Sequence, residues 1–297
     1  MDNTELKNLT NSLNLSIKKN NANLFQRVLR NPIKMLWSKL LEKNCLSKSE
    51  TKQMKATLFW GEEMNVVFPE IVSCFLYRYG FFEPDLTKIF LTHLKAGHTF
   101  FDVGTHFGYY SILASKLVGS HGQVHGFEPT QGTYKILHSN LSKKSNVTLN
   151  NVAAWSCETT LKFKDYGVQY SAFNSLYGAK LDNSVVDKIT SNDYDVQAIS
   201  LDKYIDDSRL KPDFIKIDAE NAEYDILKGM TKTLRDIRPI VTLEVGDVNE
   251  GDFKNSSDCV HFLQEQNYRV LEYREGILSE HEINKKYSHT NLLFMPK

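Results

Sequence analysis

The sequence predicts an α/β fold in which helices cover both faces of a mostly parallel sheet. From about residue 80 onwards, short apolar runs bounded by turn residues alternate with amphipathic helical segments. This alternation is typical of consecutive β-α-β units. The chain has 297 residues, of which 41% are hydrophobic, and this is enough to bury the core of one large α/β domain with an additional segment.

Seven predicted strands and five predicted helices make up this region. The strands, in chain order, are TFFDVG, GQVHGFEP, VTLNNVAAW, DFIKIDAEN, RPIVTLEVG, YRVLEYREG and TNLLFMPK. The helices are EPDLTKIFLTHLKAG, GYYSILASKLVG, GTYKILHSNLSKKS, EYDILKGMTKTLRDI and SDCVHFLQEQNY. Residues 157–200 are less regular and too long for an ordinary connection, and insertions of this kind often shape a binding site.

The first 60 residues have a different pattern. Apolar residues recur there at helical spacing, and Pro32 is expected to divide the segment into two short helices. The periodic positions are Leu24, Val28, Leu29, Ile33, Leu36, Leu40 and Leu41. We therefore predict a helical N-terminal appendage at 1–60 and one main domain at 61–297.

The charge balance and the cysteine pattern indicate which class of partner the protein binds and in which cellular compartment it lies. Lys plus Arg and Asp plus Glu number 36 each, so the chain lacks the basic bias of a nucleic-acid-binding protein, and we predict no nucleic-acid partner. The four cysteines show no CxxC spacing, which favours free thiols in a reducing compartment. No apolar run is long enough to span a bilayer, and the polar N-terminus does not resemble a signal peptide. We predict a cytoplasmic protein without a transmembrane segment.

A glycine-containing turn after the first strand of the main domain is the first candidate binding site. The strand ends at Asp102, and Gly104 and Gly108 precede a helix. The turn lacks the GxGxxG spacing of dinucleotide-binding proteins and the lysine of a phosphate-binding loop. An acid directly before the turn would also repel a phosphate. Glu128 ends the second strand, about twenty residues further on, where a carboxylate can accept hydrogen bonds from ribose hydroxyls.

These features fit an adenosine-like ligand that carries a small cationic group. S-adenosylmethionine satisfies them: its ribose suits Glu128, its ammonium suits Asp102, and its carboxylate suits the amides at the helix N-terminus. The alternative is a turn whose glycines only permit tight packing of strand and helix. The predicted cofactor-binding residues are Asp102, Gly104, Thr105, His106, Gly108, Tyr109, Glu128, Ala153 and Asp218.

Residues from about 80 to the C-terminus resemble the FkbM-type methyltransferases, a class I family that depends on S-adenosylmethionine. The resemblance rests on FFEPDLTKIFLTHLKAGHTFFDVGTHFGYYSILA, GFEP, ISLDKYI, DFIKIDAENAEYDILKGM and PIVTLEVG. It implies a Rossmann-like fold with a seven-stranded, mostly parallel sheet whose last strand is antiparallel. It also implies methyl transfer to a hydroxyl of a saccharide, a lipid-linked saccharide or a polyketide.

Two positions depart from the family pattern. The family usually has Gly-Ala-Asn where this chain has Gly104, Thr105 and His106, and the bulkier His106 is expected near the methionine end of the cofactor. The family also has a glycine where this chain has Asn221. Because asparagine tolerates the left-handed conformation, we expect the turn at Asn221 to be preserved.

Three residues are candidates for catalysis on an alcohol, which must lose a proton as it accepts the methyl group. Asp218 and Glu220 follow the DFIKI strand, with helix capping as the alternative role. His289 lies before the last strand, where a histidine suits a general base. Asp218 and Glu244, at neighbouring strand ends, offer a possible Mg²⁺ site completed by Asp247 or water, although the prediction is that no metal is bound.

Two other classes of protein compete with an O-methyltransferase. An NAD(P)-dependent oxidoreductase would need GxGxxG and a Tyr-xxx-Lys pair, whereas Tyr177 and Lys180 are one residue too close. A non-catalytic partner protein with a cofactor fold would not need the full set of predicted cofactor residues. The sequence favours a small-molecule or saccharide acceptor and does not set the oligomeric state.

Overall fold

A computed structural model describes residues 2–21, 32–174, 192–247, 255–274 and 276–297. Some sequence predictions fall on residues outside these ranges. They are the helical positions Leu24, Val28 and Leu29 and the pair Tyr177 and Lys180.

The first half of the chain supplies six helices and five strands to the described structure. In order they are α1 (Asn3–Asn20), α2 (Pro32–Lys48), β1 (Lys52–Thr57), β2 (Glu63–Phe68), α3 (Ile71–Tyr79), α4 (Pro84–His93), β3 (Thr99–Val103), α5 (Tyr109–Val118), β4 (Gln123–Phe127), α6 (Gln131–Leu141) and β5 (Val147–Asn150). A short 3₁₀ turn, Gly119–His121, joins α5 to β4.

The second half supplies the remaining elements. They are β6 (Ala153–Ala154), β7 (Thr159–Asp165), β8 (Asn192–Ile199), α7 (Leu201–Ser208), β9 (Phe214–Ile217), α8 (Glu223–Lys228), α9 (Thr231–Asp236), β10 (Ile240–Val245), α10 (Ser256–Glu265), β11 (Tyr268–Arg274), β12 (Ile277–Glu280) and β13 (Thr290–Pro296). A 3₁₀ segment, Val168–Phe173, follows β7.

The central sheet has eight strands in the order β12-β11-β13-β10-β9-β3-β4-β5. The strands β10, β9, β3, β4 and β5 are parallel to one another, and β13 pairs antiparallel with both β10 and β11. The Rossmann-like class I methyltransferase fold, with a mostly parallel sheet and an antiparallel last strand, is confirmed. An eighth strand, β12, extends the predicted seven because the chain after β11 turns back and pairs with it along the edge.

The predicted third strand, VTLNNVAAW, is divided between two sheets. Val147–Asn150 joins the central sheet as β5, whereas Ala153–Ala154 pairs with β8 in a separate sheet of order β6-β8-β7. Asn151 turns the chain between them, and its side-chain amide donates to the carbonyls of Glu128 and Pro129. The irregular region after residue 157 therefore contains an antiparallel pair, β7 and β8, which lies beside the strand ends.

The order of the parallel strands reverses between β3 and β9. The chain proceeds outward from β3 to β4 and β5, and then returns to β9 and β10 on the other side of β3. Side chains alternate between the two faces, so Phe100 packs in one hydrophobic cluster and Phe101 in the other. Ligands of open α/β sheets bind at the carboxyl ends of the strands at this point of reversal.

The N-terminal segment is helical only in part. Residues 52–57, predicted to be helical, form β1 and pair antiparallel with β2, because the alternating sequence MKATLF suits a half-buried hairpin. Leu9 and Leu13 of α1 are buried in the main hydrophobic cluster. The division of the chain at residue 60 stays a prediction. Within the described ranges, we find no helix with the length and apolar character needed to cross a bilayer.

Candidate functional site

A cavity of about 290 Å³ opens at the carboxyl ends of β3, β4, β9 and β10. Its wall includes the loop after β3, the start of the chain after β4 and the turn after β9. Most of the predicted cofactor residues line it, namely Gly104, Thr105, His106, Tyr109, Glu128, Ala153 and Asp218. The predicted catalytic residues Glu220 and His289 line it as well. The fold therefore brings together residues that are up to 185 positions apart (289 − 104) in the chain.

Gly104 allows the ends of β3 and β9 to approach closely. Its φ is +75°, and a Cβ atom built on it would lie 1.7 Å from the carbonyl oxygen of Asp218. Only glycine accommodates both the left-handed backbone and this contact. His106 also has positive φ, +52°, in a region that histidine adopts more readily than most residues. Its Nε2 lies 2.8 Å from the Ser171 hydroxyl, and its ring stacks on Phe107.

A buried charge cluster lies under the turn. Asp102 is almost fully buried, accepts a hydrogen bond of 2.7 Å from Ser111 and lies 3.6 Å from Lys216 Nζ. Lys216 Nζ also donates to Asp218 Oδ2 at 3.1 Å. Burial alone would lower the pKa of Lys216, but Asp218, Asp102 and Glu83 together raise it, so the ammonium stays charged.

Asp102 therefore has a different immediate partner from the one that the sequence suggests. It does not line the cavity, and neither does Gly108; Lys216, which Asp102 binds, does line it. Burial raises the pKa of Asp102, and Lys216 opposes this shift. Gly108 begins α5 with φ +96°, and a Cβ there would lie 2.8 Å from Leu141. The cofactor roles predicted for these two residues stay predictions.

Glu128 presents a buried carboxylate to the cavity. Its Oε2 accepts from the His106 amide at 3.0 Å, and its Oε1 accepts from both the amide and the hydroxyl of Thr130. A carboxylate has about four acceptor positions, so one position on Oε2 stays available to a ligand hydroxyl. Burial raises the pKa of Glu128 to about 7, although the Thr130 and His106 hydrogen bonds oppose the shift.

The residues at this end of the cavity fit S-adenosylmethionine. Beside Glu128 the wall is apolar and is formed by Phe127, Ala153, Ala154 and Phe163, which suits a flat adenine ring. A carboxylate acceptor beside apolar side chains suits an adenosine, because its ribose hydroxyls can donate to the carboxylate and its adenine ring can pack on the apolar side chains. Gly104, Thr105 and Lys216 line the cavity at the carboxyl ends of β3 and β9.

The opposite end of the cavity carries a carboxylate–histidine pair. Glu244, at the end of β10, is buried, and its Oε1 lies 3.1 Å from Nδ1 of His289. The His289 side chain is 59% exposed and lines the cavity. The antiparallel pairing of β13 with β10 creates this contact, because Thr290 lies opposite Val245 at the carboxyl end of β10.

Glu83 joins this pair from the chain segment before α4. Its carboxylate accepts from Tyr110 at 2.9 Å and from Asn291 at 2.6 Å. Burial raises the pKa of Glu83 to about 7, and Asp218 adds to the shift. Its backbone is left-handed, with φ +37°, so the surrounding contacts hold a conformation that is costly for a non-glycine residue.

The turn after β9 positions Asp218 and Glu220. Asn221 has φ +78°, which confirms that asparagine adopts the left-handed conformation at this position. Glu223 is buried and accepts from the Ala219 amide at 3.0 Å, so it stabilises the turn before α8. Asp218 is partly exposed and lines the cavity beside Lys216.

Two overlapping groups of side chains have ligand atoms within 4.8 Å of one another and could hold a divalent cation. They are Asp218, Glu220 and Glu244, and Glu83, Glu244 and His289. Asp247 belongs to neither group, and its suggested part in a metal shell stays a prediction. Both of its oxygens accept from backbone amides, those of Ser256 and Tyr287, each at 2.8 Å.

Sequence reasoning missed Glu83 and Lys216. Lys216 had a signal, since it interrupts the apolar strand FIKI, and a charged residue in a buried strand requires buried counter-charges. No sequence signal distinguishes Glu83, because an acid before Pro84 is typical of an ordinary helix N-cap. In the structure its side chain makes no cap hydrogen bond and faces Tyr110 and Asn291 instead.

Several solved structures are similar to the chain. A methyltransferase FkbM from Methylobacillus flagellatus is 16% identical, with 66% of this chain and 43% of that chain covered and a TM-score of 0.41. Aeropyrum pernix fibrillarin, with natively bound S-adenosyl-L-methionine, is 10% identical over 68% of each chain (TM-score 0.40). A SAM-dependent O-methyltransferase from Thermotoga maritima is 12% identical over 82% of this chain and 77% of that one (TM-score 0.41). This chain thus spans less than half of the Methylobacillus protein.

No curated protein sequence matches the chain. A family profile does match it. The profile of the methyltransferase FkbM domain matches residues 102–270, which is more than half of the 297 residues. The matched stretch begins at Asp102 and contains the glycine turn, Glu128, Asp218 and Glu244. Glu83 precedes it and His289 follows it.

Proposed function

This chain belongs to the FkbM methyltransferase family, whose cofactor is S-adenosylmethionine, and from that premise we propose that it methylates a hydroxyl of a saccharide or other polyol. The enzyme is a methyltransferase with a Rossmann-like fold. The choice of oxygen as the acceptor atom, and of a polyol as the substrate, is the proposal. We also propose a cytoplasmic location, consistent with the four cysteines, which are all free thiols.

The observation that carries the proposal is the contact between Glu244 and His289. In the tautomer with the proton on Nδ1, His289 donates to the buried Glu244 carboxylate, and Nε2 is free of that proton. Such a carboxylate–histidine arrangement orients a general base. An alcohol acceptor needs a base, since a hydroxyl carries a proton that must leave during methylation.

In the proposed reaction the cofactor, the general base and the acceptor-binding side chain have separate roles. When bound, S-adenosylmethionine supplies an electrophilic methyl group on a sulfonium. His289 Nε2 would take the proton from the acceptor hydroxyl as the hydroxyl oxygen bonds to the methyl carbon, while the carbon–sulfur bond would break and leave its electron pair on sulfur. Glu244 holds the imidazole ring and stabilises the imidazolium. Asp218, which is oriented by Lys216, is placed to accept a hydrogen bond from a second hydroxyl of the acceptor.

Glu220 takes the remaining part of the acceptor site in this proposal. It lines the cavity beside Asp218, and one of its carboxylate oxygens lies within 4.8 Å of those of Asp218 and Glu244. Several acceptors on one wall suit a ligand with several hydroxyl donors. This is why a polyol is favoured over a monohydric alcohol.

The acceptor assay tests the proposal directly. The full chain is incubated with isotopically labelled S-adenosylmethionine and two matched sets of compounds, one of saccharides and other polyols and one of amines and thiols. We expect label in a methyl ether of a polyol, identified by mass spectrometry and by the carbon shift of the new methyl group. Transfer only to nitrogen or sulfur would contradict O-methylation. If the chain binds the cofactor tightly but methylates neither set, the non-catalytic partner alternative gains support.

Glu128 gives a separate prediction about the cofactor. A ribose hydroxyl that donates to Glu128 favours its ionised form, so binding lowers the raised pKa of this group. Affinity for adenosine should therefore increase as the pH rises through about 7, by about tenfold for each unit by which binding lowers the pKa. Glu128→Ala should lose about 1.5–3 kcal/mol of binding free energy at pH 8. Calorimetry between pH 5.5 and 8.5 measures both effects.

Two variants control the Glu128 measurement. Glu128→Gln cannot ionise, so its adenosine affinity should not change over this pH range. Glu83→Gln removes another carboxyl whose pKa is about 7, but one that belongs to the Glu244–His289 end, so it should retain the wild-type pH dependence. An unchanged affinity in Glu128→Ala would remove Glu128 from the ribose site.

A further inference from the structure

Helix α2 carries an exposed apolar stripe that the proposed reaction does not use. Leu36 and Trp37 follow Ile33 by three and four residues, and Leu40 follows Trp37 by three, so the four residues lie on one face of the helix. Ile33 is 80% exposed and Leu36 is 63% exposed, and Trp37 and Leu40 are also exposed. Four large apolar residues on one helical face form a patch rather than the isolated exposure that is common on protein surfaces.

The opposite face of α2 fixes this orientation. Leu41 and Cys45 pack with Phe68 and Cys74 in a small hydrophobic cluster. Arg78 of α3 donates to the Ser38 hydroxyl at 3.0 Å and forms an ion pair with Glu42. The helix is thus attached to the protein through this face. The stripe lies outside the attachment, except at its border, where the Trp37 ring lies 6.1 Å from the Tyr77 ring of α3.

Lysines flank the stripe on both sides. At 100° per residue, Lys39 and Lys43 lie along one edge and Lys48 lies along the other. All three are exposed, and none of them pairs with an acid in the described part of the chain. Glu42, the acid of α2, is held by Arg78. An apolar centre that includes a tryptophan, with lysines along its edges, is a feature that α2 shares with helices that lie in a membrane interface. Its opposite face differs from theirs, because Met35, Leu41 and Cys45 are buried there against the protein instead of being polar.

We propose that this face of α2 docks the enzyme on a bilayer surface that carries anionic headgroups. Apolar side chains would enter the boundary between headgroups and acyl chains, and the lysines would contact the anionic headgroups. The charge pattern favours this occupant over a second copy of the chain, because a symmetric pair of α2 faces would bring lysines of the same sign together. The proposal is independent of the acceptor chemistry.

Vesicle co-sedimentation of the full chain tests the proposal. Wild-type protein should sediment with vesicles of phosphatidylglycerol and phosphatidylcholine and much less with phosphatidylcholine alone. Leu36→Ser/Leu40→Ser should weaken partitioning at least about tenfold, since the apolar contact is lost. Lys39→Glu/Lys43→Glu should weaken it by about fivefold or more per lysine, and added salt should weaken the wild type. Ile277→Ser, which alters a residue that is 70% exposed on β12, is the matched control and should bind as wild type does.

Three results would overturn the proposal. The first is equal binding to anionic and neutral vesicles, and the second is an equal loss in the Ile277→Ser control. The third is a dimer in sedimentation velocity that dissociates in Leu36→Ser/Leu40→Ser, because a second copy would then cover the stripe. Thermal stabilisation by S-adenosylmethionine should be the same in all these variants, so a failure here leaves the methyltransferase assignment untouched.

Discussion

Lys216→Met should lower the free energy of unfolding by about 3–5 kcal/mol at pH 8, because it leaves buried carboxylates without their cation. Lys216 is buried, and it is shared by Asp102 at 3.6 Å and Asp218 at 3.1 Å. Methionine matches the length of lysine, so the cavity cost is small and the lost charge dominates. Such a loss is a large fraction of the 5–15 kcal/mol that is typical of a folded domain. Urea denaturation followed by fluorescence measures the change.

The pH dependence identifies the cause of that loss. At pH 5 the uncompensated carboxyls can be neutralised by protonation, so the difference between wild type and Lys216→Met should be smaller than at pH 8. Lys162→Met is the matched control, since Lys162 also pairs with an aspartate, Asp195 at 2.6 Å, but both side chains are largely exposed. That variant should unfold as wild type does. A Lys216→Met protein as stable as the control at pH 8 would mean that Asp102 and Asp218 do not depend on Lys216.

The central sheet could be predicted because its strands carry strong local signals. Runs such as TFFDV and IVTLEV are mostly apolar, as strands buried on both faces are, and each is followed along the chain by a helix. The β1–β2 hairpin and the edge strand β12 were not predicted, because their local sequence signals are weak. Lys52–Thr57 and Ile277–Glu280 are short and largely exposed, so their pairing depends on a neighbouring strand more than on their own composition.

The site residues that could be predicted best are those that directly follow a strand of the central sheet. Gly104, Glu128 and Asp218 lie at the carboxyl ends of β3, β4 and β9, and the topology of the sheet brings such positions together. Glu83 reaches the site through α4 and a left-handed backbone, and it contacts Asn291, which is 208 residues away in the chain. Contacts of this kind follow from tertiary packing, and no local sequence pattern specifies them.

The pair of Glu244 and His289 gives the largest expected effect on catalysis. His289→Ala should lower kcat by about 10²–10⁴-fold with saturating cofactor and acceptor, because the acceptor hydroxyl then has no positioned base. The affinity for S-adenosylmethionine should stay at the wild-type value, since His289 contacts Glu244 at the end of β10, and β9 and β3 lie between β10 and β4, the strand that Glu128 follows. Glu244→Gln should lower kcat less, because the amide oxygen can still accept from Nδ1 but no longer stabilises the imidazolium. Single-turnover rates and calorimetry measure the two quantities.

Controls distinguish this base from the other groups in the cluster. His261→Ala removes an exposed histidine of α10 that does not line the cavity, so it should leave kcat unchanged. If His289→Ala keeps the wild-type kcat and Glu83→Gln loses it, then Glu83, whose pKa is about 7, is the base instead. If EDTA abolishes turnover and Mg²⁺ restores it, then Asp218, Glu220 and Glu244 hold a cation that activates the hydroxyl, and the proton need not pass to His289. A wild-type kcat in His289→Ala together with a wild-type pH profile would show that the Glu244–His289 contact has no role in proton removal, because a general base cannot be deleted without altering both.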